Sequence, residues 1–229
     1  MMDADREANG HMRYDTVIYD LDGTLLNTLD DLAGSVNHAM REGGFPQHSL
    51  PQAAAMLGDG MEMLIRRALP EGAKQDEAVF QRTLAVFKAY YAQHADDTTR
   101  PYPGVMDLLC TLRDLGVKQA VVSNKGDPFV KKLCEETFDG LLCAAVGEQP
   151  GVRRKPAPDS VLKVMADLGC AAESTLYVGD SEVDVQTARN AGVDCACVCW
   201  GFRTEEQLRA AGGQVLVHEA EEIIALVKG

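Results

Sequence analysis

The sequence predicts a doubly wound, Rossmann-like α/β core, a parallel sheet covered by helices on both faces, with a small all-helical domain inserted after the first strand. Three observations carry this. From residue 105 onward, short apolar segments alternate with amphipathic ones; residues 27–97 show helical periodicity and no convincing strand; and the strand segments are apolar on both faces. Such a strand is covered on either side, as a parallel sheet flanked by crossover helices requires.

The first strand holds Val17, Ile18 and Tyr19 and runs into Asp20 and Asp22. Thr28 can then cap LDDLAGSVNHAMREGG, where Leu32, Val36 and Met40 recur every four residues and Gly43 and Gly44 stop the helix. Short helices are expected at QAAAML and MEMLIRRAL, and a longer one over DEAVFQRTLAVFKAYYAQHA. The turn signal RPYPG closes this block. Beyond it come a helix VMDLLCTLRDLG, a strand VKQAVVS, a helix DPFVKKLCEETF, a strand LLCAAV and a helix PDSVLKVMADLG. Then follow a strand TLYVG, a helix EVDVQTARNAG, a strand CACVC, a helix TEEQLRAAG, a strand QVLV and a helix EAEEIIALVK. The expected division is a core of residues 13–26 and 98–229, a helical cap of residues 27–97 and a polar, disordered tail of residues 1–12.

The totals narrow the function. A net charge of -13 argues against a nucleic-acid partner or an anionic membrane surface, since both need clustered Lys and Arg. No apolar run approaches the ~18 residues of a membrane span, and the first dozen residues lack the apolar centre of a secretory signal. Seven cysteines without a CxxC pair read as reduced thiols, so a cytoplasmic protein is expected; the sequence leaves monomer and homodimer open. Cys195, Cys197 and Cys199 would share one strand face; with no fourth ligand at a zinc-type spacing, they read as small residues packed under a helix.

The chemistry begins at TVIYDLDGTLLNT. Residues i and i+2 of a strand face the same way, so Asp20 and Asp22 bring two anions together at the edge of an apolar sheet. Like charges that close raise at least one pKa unless a cation intervenes, and a metal, a proton held for chemistry, or both would resolve the conflict. Gly23 and Thr24 follow, where backbone amides can turn toward an anion. Ligands collect outside the carboxyl ends of parallel strands. Other candidate strands also end in polar residues there, Ser123 and Asn124 after one and Gly179 and Asp180 after another, and Lys155 stands in RRKPAPD.

DLDGTL from Asp20, VVSNK with Ser123, RKPAPD with Lys155 and YVGDSEVD with Asp180 and Asp184, in that order, resemble the haloacid dehalogenase superfamily of phosphotransferases. Within it, the cap segment LGDGMEMLIRRAL, SNK, and YVGDSEVDVQTARNAG followed by VCWGF are most similar to the phosphoglycolate phosphatase group; SNKGD departs from the commoner SNKP-type continuation. The resemblance implies Asp20 as nucleophile, Asp22 as general acid and base, and Mg²⁺ held by Asp20, Asp22 through its carbonyl, and Asp180. It implies that Ser123, Lys155, Thr24 and the amides after Gly23 bind phosphoryl oxygens, with Asn124 beside them, and that Asp184 orders the metal's waters or holds Lys155.

The helical insert resembles the small cap of phosphatases acting on small molecules. Its expected readers of the leaving group are Gly58 in LGDG and an arginine, Arg67 or its neighbour Arg66, though a helix-to-helix turn with surface ion pairs explains them equally. The expected activity is Mg²⁺-dependent hydrolysis of a small phosphomonoester, with 2-phosphoglycolate first. A pyrophosphatase, a sugar-phosphate phosphatase and a phosphomutase of the same superfamily remain as alternatives. A receiver domain is about half this length and has no cap, and a regulatory protein on a retired scaffold would not keep both Asp20 and Asp22.

Overall fold

The computed structural model describes residues 12–229. The expected tail at residues 1–11 lies outside them, and Met12, its last residue, packs against the core. The chain opens with β1 (Thr16–Tyr19) and β2 (Leu26–Asn27). Helices α1 (Leu29–Glu42), α2 (Leu50–Met56), α3 (Gly60–Ala68), α4 (Glu71–Lys74) and α5 (Glu77–His94) follow, then β3 (Arg100–Pro101). The alternating part comprises α6 (Val105–Asp114), β4 (Lys118–Gly126), α7 (Asp127–Phe138), β5 (Ala144–Glu148), α8 (Asp159–Leu168) and β6 (Thr175–Gly179). It ends with α9 (Glu182–Ala191), β7 (Asp194–Val198), α10 (Glu205–Ala210), β8 (Val215–Val217) and α11 (Ala220–Lys228).

Six strands form one sheet in the order β5-β4-β1-β6-β7-β8, and every neighbouring pair is parallel. β1 lies inside, with Tyr19 level with Val121 of β4 and Val178 of β6. The chain winds outward on one side of β1 and then returns to wind outward on the other. That reversal opens a crevice at the carboxyl ends of the central strands. Alternation along β1 feeds two cores: Val17 and Tyr19 pack with α6, α7 and α11, while Ile18 packs with α8 and α9.

The helices between β2 and β3 bury a core of their own. Leu32, Val36 and Met40 form the expected stripe on α1, and they meet Leu64 and Ile65 of α3 and Phe80, Leu84, Phe87 and Tyr91 of α5. No helix among the described residues is long and apolar enough to cross a membrane. All seven cysteines are free thiols, and Cys195, Cys197 and Cys199 pack against Leu208 of α10, as small residues under a helix do.

Several local expectations fail for physical reasons. Thr28 occupies the N-cap position of α1, but its backbone is not extended and its hydroxyl makes no capping bond; that oxygen is buried without a partner. Helix α2 starts at Leu50 rather than Gln52, because Ser49 and Gln52 form a capping box. Strand β5 starts at Ala144, since Leu141 is still turning off α7 through a bond from its amide to the Phe138 carbonyl (2.9 Å). Helix α4 and the β2–β3 ribbon, which pairs Leu26 with Pro101 and Asn27 with Arg100, were not expected. Elements of two to four residues carry too little periodicity to register in sequence.

The ribbon ties together the two chain segments that connect the helical block to the sheet, and Asp31 reinforces it. Its carboxylate accepts from the Thr98 amide (3.0 Å), the Thr98 hydroxyl (2.5 Å), the Thr99 amide (2.9 Å) and the Thr99 hydroxyl (2.7 Å). Burial works to raise the Asp31 carboxyl, but the bonds from Thr98 and Thr99 outweigh it, and the group lies below its ordinary value. Asp31→Asn should therefore cost about 1–3 kcal/mol in urea unfolding near neutral pH. A depressed carboxylate stabilises fully above its unfolded pKa of about 3.9 and loses that contribution as pH falls toward the folded value. The gap between wild type and variant should thus be constant above about pH 5 and shrink below about pH 4.

Candidate active site

The ends of β1, β4 and β6 and the loop before α8 converge on one buried cluster. Asp20, Asp180 and Asp184 each offer a carboxylate oxygen within 4.8 Å of the others, and all three are buried. Lys155 Nζ lies 3.0 Å from Asp20 Oδ1 and 2.8 Å from Asp184 Oδ1 and donates to the Tyr177 hydroxyl at 3.0 Å. The other oxygen of Asp184 accepts from the Ser181 amide (3.1 Å) and hydroxyl (2.6 Å), locking it at the first turn of α9. Asp184 is thus fixed on both sides, by Ser181 and by the Lys155 ammonium.

Asp180 is held by backbone. Its Oδ2 accepts the Phe202 amide at 2.7 Å, and Thr24 Oγ1 lies 3.3 Å from Oδ1. Two glycines make room for it. A Cβ on Gly23, whose φ is +84°, would sit 2.4 Å from Asp180 Oδ2, and one on Gly201 would sit 2.3 Å from Asp180 Cβ. Trp200, next to Gly201, donates its indole N–H to the Thr24 carbonyl at 3.0 Å, which fixes the DLDGT turn against the loop after β7.

The cluster holds more negative charge than its one lysine balances. Burial pushes the Asp20 carboxyl up to about 6, with Lys155 opposing and Asp184 and Asp22 adding to the shift. Asp180 is driven well above the carboxylate range by burial, then by Asp184 and Asp20. Lys155 stays charged because those same carboxylates outweigh its own desolvation. Buried carboxylates of hard oxygen character, crowded and short of positive charge, fit a divalent cation such as Mg²⁺. A second cluster of ligating side chains, Cys199, Glu205 and His218, fits less well: Glu205 already serves Arg209 at 2.7 Å.

Asp22 stands apart from the cluster. Its Oδ1 pairs at 2.7 Å with Lys125 Nζ, and that ammonium lies 4.9 Å from the centroid of the Tyr91 ring on α5. Lys125 is the lysine of the SNK motif, and the motif resemblance implies no role for it. It stands at i+2 from Ser123 on β4, and that spacing, the same as between Asp20 and Asp22, was the available signal.

Asp20, Asp22, Asp180, Ser123, Asn124 and Gly58 line a single cavity between sheet and helical block, joined by Leu32, Leu57, Met61, Leu64, Lys125, Phe202 and Arg203. Asn124 donates to the Gly58 and Lys155 carbonyls, both at 3.0 Å, so it bridges the two layers. Gly58 adopts φ +115°, a conformation few other residues tolerate. The expected role of Arg67 is not upheld. Its guanidinium pairs with Asp59 and donates to the Met56 carbonyl (2.8 Å), and it does not line the cavity. Arg66 pairs with Glu77 at 2.9 Å and lies over the Phe80 ring. Both arginines hold helices together, as the structural reading of that segment has it. Arg203, absent from the expected set, does line the cavity; it sits past the last motif, in a loop without periodicity.

A family model described as haloacid dehalogenase-like hydrolase matches residues 17–198. A phosphoglycolate phosphatase of Pseudomonas putida KT2440 is 34% identical over 212 residues, covering 91% of this chain and 78% of the relative. Another phosphoglycolate phosphatase, from Thiobacillus denitrificans, is 34% identical over 190 residues, 81% of this chain and 83% of its own. Among solved structures, one from Lactobacillus delbrueckii subsp. bulgaricus, designated by inference a phosphoglycolate phosphatase, superposes with a TM-score of 0.89 at 36% identity, covering 95% of this chain and 100% of that one.

Crowded anions give the site a thermal signature. Asp180→Asn keeps an oxygen for the Phe202 amide but removes a carboxyl whose ionised form burial and its acidic neighbours disfavour. Without divalent ions the variant should melt higher than wild type, by about 1 kcal/mol or roughly 2–4 °C. Adding Mg²⁺ should stabilise wild type and leave the variant almost unmoved, as differential scanning fluorimetry would read.

Proposed function

The chain belongs to the haloacid dehalogenase-like hydrolase family, and on that premise we propose that it is a Mg²⁺-dependent phosphatase of small phosphomonoesters, with 2-phosphoglycolate as its first substrate. One observation carries the reading: Asp20 sits at the end of the inner strand β1, 3.0 Å from a buried lysine and among further carboxylates, at the floor of a cavity roofed by a helical block. The names of its relatives support the choice of substrate.

In this mechanism a carboxylate oxygen of Asp20 attacks phosphorus in line, forming an aspartyl-phosphate as the ester P–O bond breaks. Asp22 gives its proton to the departing alkoxide. It then takes one from the water that attacks the same phosphorus, and cleavage of the Asp20–phosphorus bond releases inorganic phosphate and restores both carboxyl groups. The Ser123 hydroxyl and the Lys155 ammonium bind phosphoryl oxygens, and Asp184 keeps Lys155 aimed at Asp20. Asp20, Asp180 and the Asp22 carbonyl would hold Mg²⁺, which when bound supplies positive charge for the phosphoryl oxygens. The helical block of residues 27–97 acts as a cap that excludes water and selects the leaving group.

The decisive assay follows phosphate release from 2-phosphoglycolate, pyrophosphate and hexose phosphates with Mg²⁺ or with chelator. Chelation should abolish turnover and Mg²⁺ restore it. Asp20→Asn should lower kcat by at least about a thousandfold, and parental rates from that variant would reject the nucleophile. Asp22→Asn should lower turnover of alkyl esters by about 10²–10⁴. With p-nitrophenyl phosphate, whose leaving group needs no proton, it should give a burst approaching one p-nitrophenolate per enzyme in stopped flow.

A further inference from the structure

We propose that Arg203, a core residue, is the specificity-determining group of this site: it reads a carboxylate on the leaving-group side of the ester and does so only when the cap is down. This rests on the phosphatase reading above. The cap contributes Leu32, Leu57, Met61 and Leu64 to the cavity and no cation. The remaining charged lining is Asp20, Asp22, Asp180, Lys125 and Arg203. A carboxylate on the leaving group would be repelled by the three acids, so it needs one of the two cations. Lys125 is committed: it pairs at 2.7 Å with Asp22, whose side chain is only 18% exposed.

Arg203 is differently placed. Nε donates to Glu182 Oε2 at 2.8 Å, and Nη2 donates to Glu182 Oε1 at 3.2 Å and to the Leu57 carbonyl at 2.7 Å. Nη1 donates to the Ala54 carbonyl at 3.0 Å, which leaves one of its hydrogens without a partner among the described residues. Two of these acceptors belong to the cap, at the end of α2 and the turn before α3, so the guanidinium takes this position only with the cap seated. Its resident counter-ion is the exchangeable one, since the Glu182 side chain is 51% exposed. A substrate carboxylate can replace a solvated glutamate on a planar guanidinium, or share it, through bidentate bonds that a lysine cannot reproduce. The amide of the preceding residue, Phe202, is fixed by Asp180, which holds the reader at a set distance from the reacting centre.

The test compares 2-phosphoglycolate with its neutral isostere carbamoylmethyl phosphate, using purified full-length protein and Mg²⁺. Wild type should prefer the carboxylate in kcat/KM, and Arg203→Met should lower that preference by about thirtyfold or more, mainly through KM. Arg203→Lys should recover part of it. Glu182→Gln, which leaves the guanidinium in place and removes its resident anion, should lower KM for 2-phosphoglycolate severalfold and leave the neutral ester unchanged. Equal losses on both esters in Arg203→Met, no preference in wild type, or an unchanged or raised KM in Glu182→Gln would each overturn the inference while leaving the phosphatase reading intact. A wild type inert toward every ester would overturn both.

Discussion

Charge balance at the carboxyl end of the central strands governs this structure. Asp20, Asp180 and Asp184 are buried together, and Asp20 and Asp184 share the Lys155 ammonium. Carboxylates out of water are costly unless paired, and one lysine does not pair three. The surrounding architecture responds to that deficit. Tyr177 supports the lysine, Ser181 caps Asp184, and the Phe202 amide faces Asp180. The cluster tolerates its own repulsion because the strands and the first turn of α9 leave its members no room to separate.

Asp22 belongs to a different electrostatic environment although it is two residues from Asp20. Lys125 draws it toward β4 and toward Tyr91 on α5. Two carboxylates at i and i+2 thus answer to two different lysines, one of which touches the helical block. Separate partners hold the two carboxylates of one short turn in different surroundings, Asp20 against Lys155 and Asp22 against Lys125. The contacts of Asn124 with Gly58 and of Arg203 with Ala54 and Leu57 join the same two layers at other points of the rim.

Much of this was legible in the sequence, because the residues that carry it obey short-range rules. Strands apolar on both faces and helices with a four-residue stripe gave the parallel sheet and the separate core of Leu32, Val36 and Met40. The polar strand ends then placed Asp20, Ser123 and Asp180 along one edge. What escaped depends on long-range geometry. The link from Asp31 to Thr98 and Thr99 spans more than sixty residues, and nothing local to either end announces it. Helical spacing exposes Arg67, but Asp59, the N-cap of the same helix eight residues earlier, lies within reach of it. Arg203 follows a glycine turn in an aperiodic loop, and only the folded chain brings it under α2 and α3.

Trp200 is the chain's one tryptophan, and its indole N–H is bonded to the carbonyl of Thr24, one residue beyond the glycine that abuts Asp180. Indole emission is sensitive to the polarity and hydrogen bonding of its surroundings, and here no second emitter of that kind dilutes the signal. The loop therefore carries an intrinsic optical gauge, whose colour and yield follow any shift of the turn that bears the two aspartates, with no label attached.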